Sequence, residues 1–268
     1  MTSSHGHTPP AFSNARTALV IAHPGHELMV HGWLELVRPL VFVFTDGSGR
    51  TNRSRLDSTT RILKQAGAKP GCIYGRLTDR AAYAAILEHE FDLFIRLAKE
   101  LAAAFTAERI DYVAGDAAEG YSPTHDVCRL IINEAVKIAS RATERPVENF
   151  EFYLRTRQID CEAPRAGDTY LKLNEEAFAR KMATAKGYTA LTEEVSAALS
   201  RTPIDAFRME RLRRVEMLGD NHYWDSQRPF YEQYGEQQVA AGHYDRVLRY
   251  REHIEPLVKA LSLGTMIS

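Results

Sequence analysis

Thr17-Ala18-Leu19-Val20-Ile21-Ala22-His23-Pro24-Gly25-His26-Glu27 decides how this chain is read. Thr17 to Ala22 is a short, β-rich apolar run that ends in a Pro-Gly turn and then enters helical sequence. That order places two imidazoles, His23 and His26, at the carboxyl end of a buried strand. In open α/β sheets this is the edge where ligands bind. Imidazole is the commonest metal-binding side chain, so two on one turn make half of a metal site. An isolated pair of this kind more often caps a turn, and only a second motif far down the chain shifts the balance.

Outward from that stretch, the first half alternates strand and helix. Helical sequence over 26–37 is followed by the apolar run Leu40 to Phe44, which reads as a strand buried on both faces. The turn Thr45-Asp46-Gly47-Ser48-Gly49 precedes helical sequence over 54–66 and a short strand at 72–74. Helical sequence resumes from 80 to 107, with a break near Glu90, and a strand follows at 110–114. A loop over 115–124 leads into a helix over about 125–140. Strands alternating with helices predict a Rossmann-like α/β fold, a parallel sheet covered by helices on both faces. From about Phe150 the pattern changes to a last strand at 150–154, a helix over 173–198 and a helix over 205–218. The last of these carries Arg208, Arg211, Arg213 and Arg214, a basic run that reads as a solvated face or as ion-pair partners. A terminal helix lies near 244–261. Residues 1–15 read as a flexible arm and 16–268 as one α/β domain, with a helical C-terminal elaboration from about 160.

The 268 residues carry 34 basic and 35 acidic side chains, so nothing in the net charge of −1 draws the chain to nucleic acid or an anionic membrane. Cys72, Cys128 and Cys161 are widely spaced, which points to a reducing compartment and excludes a CxxC zinc knuckle. No segment reads as a membrane span or a signal peptide. The expectation is a cytoplasmic protein acting on a small-molecule substrate. Its aromatic C-terminal sequence, including Asn221-His222-Tyr223-Trp224, leaves homo-oligomerisation open.

The second motif is Gly115-Asp116-Ala117-Ala118-Glu119-Gly120-Tyr121-Ser122-Pro123-Thr124-His125-Asp126. It is again a strand end, a glycine-containing loop and a histidine at a helix start. Parallel topology brings neighbouring strand ends together, so His125 converges on His23 and His26. Three imidazoles with an open position match a catalytic zinc site.

Taken in order, the two motifs resemble those of the LmbE/PIG-L family of zinc-dependent N-deacetylases, which remove acetyl groups from amino sugars and related small molecules. The family's Ala-His-Pro-Asp-Asp-Glu stands here as Ala22 to Glu27, and its His-Pro-Asp-His as Ser122-Pro123-Thr124-His125. The turn Thr45-Asp46-Gly47 and the run Arg53 to Gly67 are also similar. The resemblance implies an LmbE-like α/β fold and metal ligation by His23, His26 and His125, with zinc as cofactor and iron or another divalent transition metal as alternatives. A neutral His26 stands where the family has a carboxylate. The charge of a metal centre there rises, and a coordinated water is acidified further.

The departures fall on the chemistry. The family's general base position is Gly25, and its second catalytic position is Ser122, with Thr124 replacing the supporting Asp. Asp126, Glu119 and Asp116 are the carboxylates in line to replace the base. Glu27 occupies the family's Glu position, and the expected role there is to buttress a neighbouring ligand. Tyr121, Arg53 and Asp46 are candidate substrate contacts: a phenol for an oxyanion, a guanidinium for a substrate anion, and a turn carboxylate facing the pocket. The leading expectation is a metal-dependent hydrolase of a small N-acylated metabolite such as an amino sugar. A different metal enzyme on the same scaffold, doing redox or rearrangement chemistry, and a catalytically degenerate binding protein stand as alternatives.

Overall fold

A computed structural model describes residues 15–49, 51–154, 166–215 and 228–266. The centre is β1 (Thr17–Ile21), whose five residues are all buried. Its side chains alternate between two apolar layers, as the period of two requires. Ala18 and Val20 face the helices α3 (Asp79–Leu87), α4 (Phe91–Ala107), α5 (Pro123–Thr143) and α9 (Glu255–Met266). Leu19 and Ile21 face α1 (His31–Val37) and α2 (Leu56–Ala66). The short strand and two covered faces follow from an unbroken Val/Ile/Leu run too apolar for any solvated face.

The sheet order is β3-β2-β1-β4-β5-β7-β6, with β2 (Leu40–Thr45), β3 (Lys69–Leu77), β4 (Tyr112–Asp116) and β5 (Glu148–Phe152) parallel to β1. The chain winds outward through β2 and β3, then returns to the other side of β1 through β4. The carboxyl ends of β1 and β4 therefore flank the point where the strand order reverses, which is where a crevice opens in such sheets. β1 and β4 pair Val20 with Gly115, so Asp116 stands at the step where β1 leaves the sheet.

Two expectations for the second half are corrected. The basic segment expected as a helix over 205–218 is strand β7 (Met209–Arg214), antiparallel to β5 and to β6 (Thr169–Lys172). Its residues alternate. Glu210 and Leu212 turn towards α1, where the Glu210 carboxylate accepts the Gly32 and Trp33 N–H groups and pairs with Lys181. Arg211 and Arg213 share the other face, paired with Asp168 and Glu151. The arginines therefore serve as ion-pair partners, and the period of two overrides their helix propensity. The helix expected over 173–198 is two helices, α6 (Glu175–Lys186) and α7 (Thr192–Arg201), parted at Gly187-Tyr188. A further helix, α8 (Phe230–Ala240), packs Tyr231 into the core.

Among the described residues no helix is long and apolar enough to cross a membrane. The N-terminal arm, Cys161 and the aromatic stretch around His222 lie outside the described residues.

Candidate active site

The turn after β1 is held from both sides. Gly25 has φ +107°, a conformation L side chains rarely adopt, and a Cβ there would come within 2.3 Å of Leu191 Cδ1. Glu27 is fully buried beneath the turn. Its carboxylate accepts the Gly25 N–H at 2.7 Å and the Thr59 hydroxyl at 2.7 Å, so it holds the turn backbone and not, as expected, a histidine ring. Burial pushes the Glu27 carboxyl up, against the pull of those hydrogen bonds. Tyr188, from beyond α6, closes over the turn by bonding Thr59 and the Arg55 carbonyl.

The three histidines of the two motifs meet. Ring centroids are 5.3 Å apart for His23 and His26, 5.0 Å for His23 and His125, and 4.7 Å for His26 and His125. His23 Nδ1 lies 2.6 Å from Thr45 Oγ1 and 2.9 Å from Asp79 Oδ1. His26 Nδ1 lies 2.8 Å from Asp116 Oδ2, the same oxygen that accepts the Ala22 N–H. Both rings thus engage protein through Nδ1 and keep Nε2 for something else. His125 Nδ1 is buried with no hydrogen-bond partner. Desolvation depresses the pKa of His23, opposed by its bond to Asp79. Burial, then the neighbouring His26, His23 and Arg55, hold His125 well below the usual imidazole value. Burial alone would raise the Asp79 carboxyl, but the bond and charge of His23, with Thr45 and the Gly49 N–H, outweigh it and hold it below the usual range.

Imidazoles with carboxylates behind two of them make a donor set of the kind that transition metals take. Three imidazoles on one zinc at roughly 2.0–2.1 Å from each nitrogen would set their ring centres about 5 Å apart. Among the described residues no three His, Cys, Asp or Glu side chains stand as a ready-made metal cluster. What the fold brings together is the rings, at fitting separation, and one orphaned ring nitrogen. On spacing and donor chemistry the residues fit a divalent cation.

A cleft of about 740 Å³ opens above His23. Asp79, Ser122, Tyr83, Tyr121, Phe230 and Tyr234 line it, along with Arg80 and Arg246. Tyr121, a predicted substrate contact, lies in the cleft wall, 44% exposed and stacked on Phe230 at 5.3 Å. Arg53 is exposed and Asp46 closes its own turn by accepting the Ser48 N–H; neither lines the cleft. The arginine near the histidines is Arg55, whose Nε donates to the Gly47 carbonyl. The three carboxylates proposed to replace the base are all buried and all accept main-chain N–H groups. Asp116 accepts from Ala22, Glu119 from Leu154, and Asp126 from Glu119 and Gly120. Asp79 and Arg55 were missed by sequence reasoning. Asp79 follows β3 at a helix start, the same strand-end position that marked His23 and His125, so the signal was present.

The two imidazoles with depressed pKa values fix the sign of a pH effect. The unfolded chain takes up protons near pH 6.5, where buried His23 and His125 do not. Their contribution to stability is complete above that value and is lost as pH falls through it. The metal-free protein is expected to lose thermal stability steadily between pH 7 and 5, and His125→Asn to flatten part of that slope. Melting temperatures across this range check it; a parent curve flat to pH 5 contradicts it.

No family model matches this chain, and no curated protein matches it in sequence. Solved structures do match. The A40926 pseudoaglycone deacetylase Dbv21 superposes with a TM-score of 0.51 at 16% identity, covering 77% of this chain and 99% of its own. A deacetylase of teicoplanin biosynthesis superposes at 0.52 with 14% identity, covering 77% of this chain and all of its own. The architecture is shared; at this identity the comparison speaks to fold.

Proposed function

We propose that this chain, which has the LmbE/PIG-L deacetylase fold, is a metal-dependent hydrolase that removes an acyl group from nitrogen on a small molecule such as an amino sugar. The observation that carries this reading is the convergence of His23, His26 and His125 at the sheet's switch point, where His23 lines a cleft. These three residues would hold the cation, zinc in the first instance. A divalent ion there would supply Lewis acidity and acidify a coordinated water.

The chain's own residues do the rest. Arg55 is near enough to His125 to act on it through its charge, and it would offer that charge to a substrate carbonyl or anion. Tyr121 offers a phenol and an aromatic face in the cleft wall. Gly25 leaves no carboxylate at the family's base position, and Asp116 stands behind His26. Glu119 and Asp126 are therefore the remaining proposed proton acceptors. Glu119→Gln and Asp126→Asn separate them, because the true acceptor lowers kcat while its variant keeps the parent melting temperature.

Purified protein should contain close to one equivalent of metal and release acetate from at least one N-acetylated amino sugar in a panel. Metal-loaded protein that releases none across a broad panel overturns the hydrolase reading. A second reading has a specific observation behind it: Leu191 and Tyr188 fill the space next to Gly25, where the family's base would project. A three-histidine centre without that base also suits redox or rearrangement chemistry. Stoichiometric iron or copper in place of zinc would select it.

A further inference from the structure

The family's carboxylate ligand is His26 in this chain, which leaves three neutral donors around a dication. Two carboxylates stand behind two of these imidazoles. Asp116 is fully buried, and its Oδ2 sits 2.8 Å from His26 Nδ1. Its other oxygen, Oδ1, is buried without a hydrogen-bond partner, so the carboxylate is not neutralised by donors on that side. Asp79 stands in the same relation to His23, 2.9 Å from Nδ1, and its second oxygen takes the Gly49 N–H. The two carboxylates come from different elements, Asp116 from the end of β4 and Asp79 from the start of α3 just after β3, and each engages Nδ1 of its histidine.

We propose that in this chain a carboxylate has moved from direct ligation to one imidazole further out: Asp116, with Asp79 as its counterpart, fixes His26 and His23 as Nδ1–H tautomers, leaves Nε2 as the donor, and returns the negative charge that replacing the ligand removed. This rests on the metal reading above. The physical basis is general. A carboxylate accepting the far N–H of a ligating imidazole sets its tautomer and orientation and raises its basicity. Asp116 and Asp79 are positioning residues in this proposal: they act on the cation through the rings.

The test is zinc affinity of the full chain, stripped of metal and titrated against a chromophoric chelator. Asp116→Asn keeps an oxygen that can accept the Ala22 N–H but removes the charge, and it should weaken zinc binding by about 10–100-fold. Asp79→Asn, read the same way, should also weaken it, and it serves if the buried Asp116 variant does not fold. Circular dichroism and melting temperature of each variant report folding. The discriminating measurement uses His26→Asp, which puts a carboxylate back in the ligand position and removes the ring that Asp116 holds. In that background, Asp116→Asn should change zinc affinity by less than about threefold, whereas a merely structural role through Ala22 would persist. An Asp116→Asn protein with parent affinity overturns the proposal, as does a penalty undiminished beside His26→Asp. A parent chain that takes up no zinc, iron or copper overturns the metal reading itself, a different and separately visible failure.

Discussion

Gly25→Asp should destabilise the protein by about 2–4 kcal/mol and should not supply a working base. An aspartate stands at this position in the LmbE/PIG-L motif that the turn resembles, but the backbone here works against it. At φ +107° any side chain is strained, and its Cβ meets Leu191 Cδ1 at 2.3 Å. Leu191 is itself buried, beside Tyr188, whose hydroxyl is tied to Thr59 and to the Arg55 carbonyl. Room for the aspartate is therefore made by opening the contact between the turn and the segment before α7. Chemical denaturation measures the loss. Leu191→Ala in the same chain should recover part of it by removing the clash and leave the backbone strain. A Gly25→Asp protein as stable as its parent would show that the turn relaxes freely.

Arg129→Met should cost about 3–5 kcal/mol. Arg129 is fully buried on α5, yet each guanidinium nitrogen donates a hydrogen bond: Nε to the Asp116 carbonyl at 2.6 Å, Nη1 to Asn149 at 3.0 Å and Nη2 to the Phe150 carbonyl at 3.1 Å. Glu151 lies 3.6 Å away. Methionine matches the stem and abandons every one of those acceptors, and buried carbonyls without donors are expensive. The same change should loosen the site, because the residue whose carbonyl Arg129 holds is the one whose carboxylate positions His26. A fall in the denaturant midpoint together with weakened zinc binding is the expected pair of results. A stability loss below 1 kcal/mol would mean that water replaces the guanidinium.

The parallel half of the fold was legible because its strands are short, unbroken apolar runs between helical stretches of matching period. Thr17 to Ala22 and Leu40 to Phe44 admit little else. The meeting of His23, His26 and His125 was legible for a related reason: each follows a strand end, and parallel strands end on one edge. The second half was harder. Its strand β7 is four-fifths charged over Glu210 to Arg214, and ion pairs distant in sequence, among them those to Glu151 and Asp168, make such a segment tolerable inside a sheet. No local pattern announces partners 43 to 62 residues away. The roles of Asp116, Glu119 and Asp126 were illegible for the same reason. Sequence marks them as carboxylates near a ligand, while three-dimensional neighbours decide whether an oxygen meets a substrate or a main-chain N–H.

Glu210 has a wider consequence. It accepts the Gly32 and Trp33 N–H groups at the start of α1, the helix that continues directly from the His26 turn, and Lys181 neutralises it from α6. No side chain within the turn itself caps this helix. A chain still emerging from the ribosome, or one cut before β7, has both histidines of the first motif and the strand that carries them. It lacks the group that finishes the helix behind them. The histidine cluster, though encoded almost wholly in the first half, is in this sense a product of the last strand to arrive.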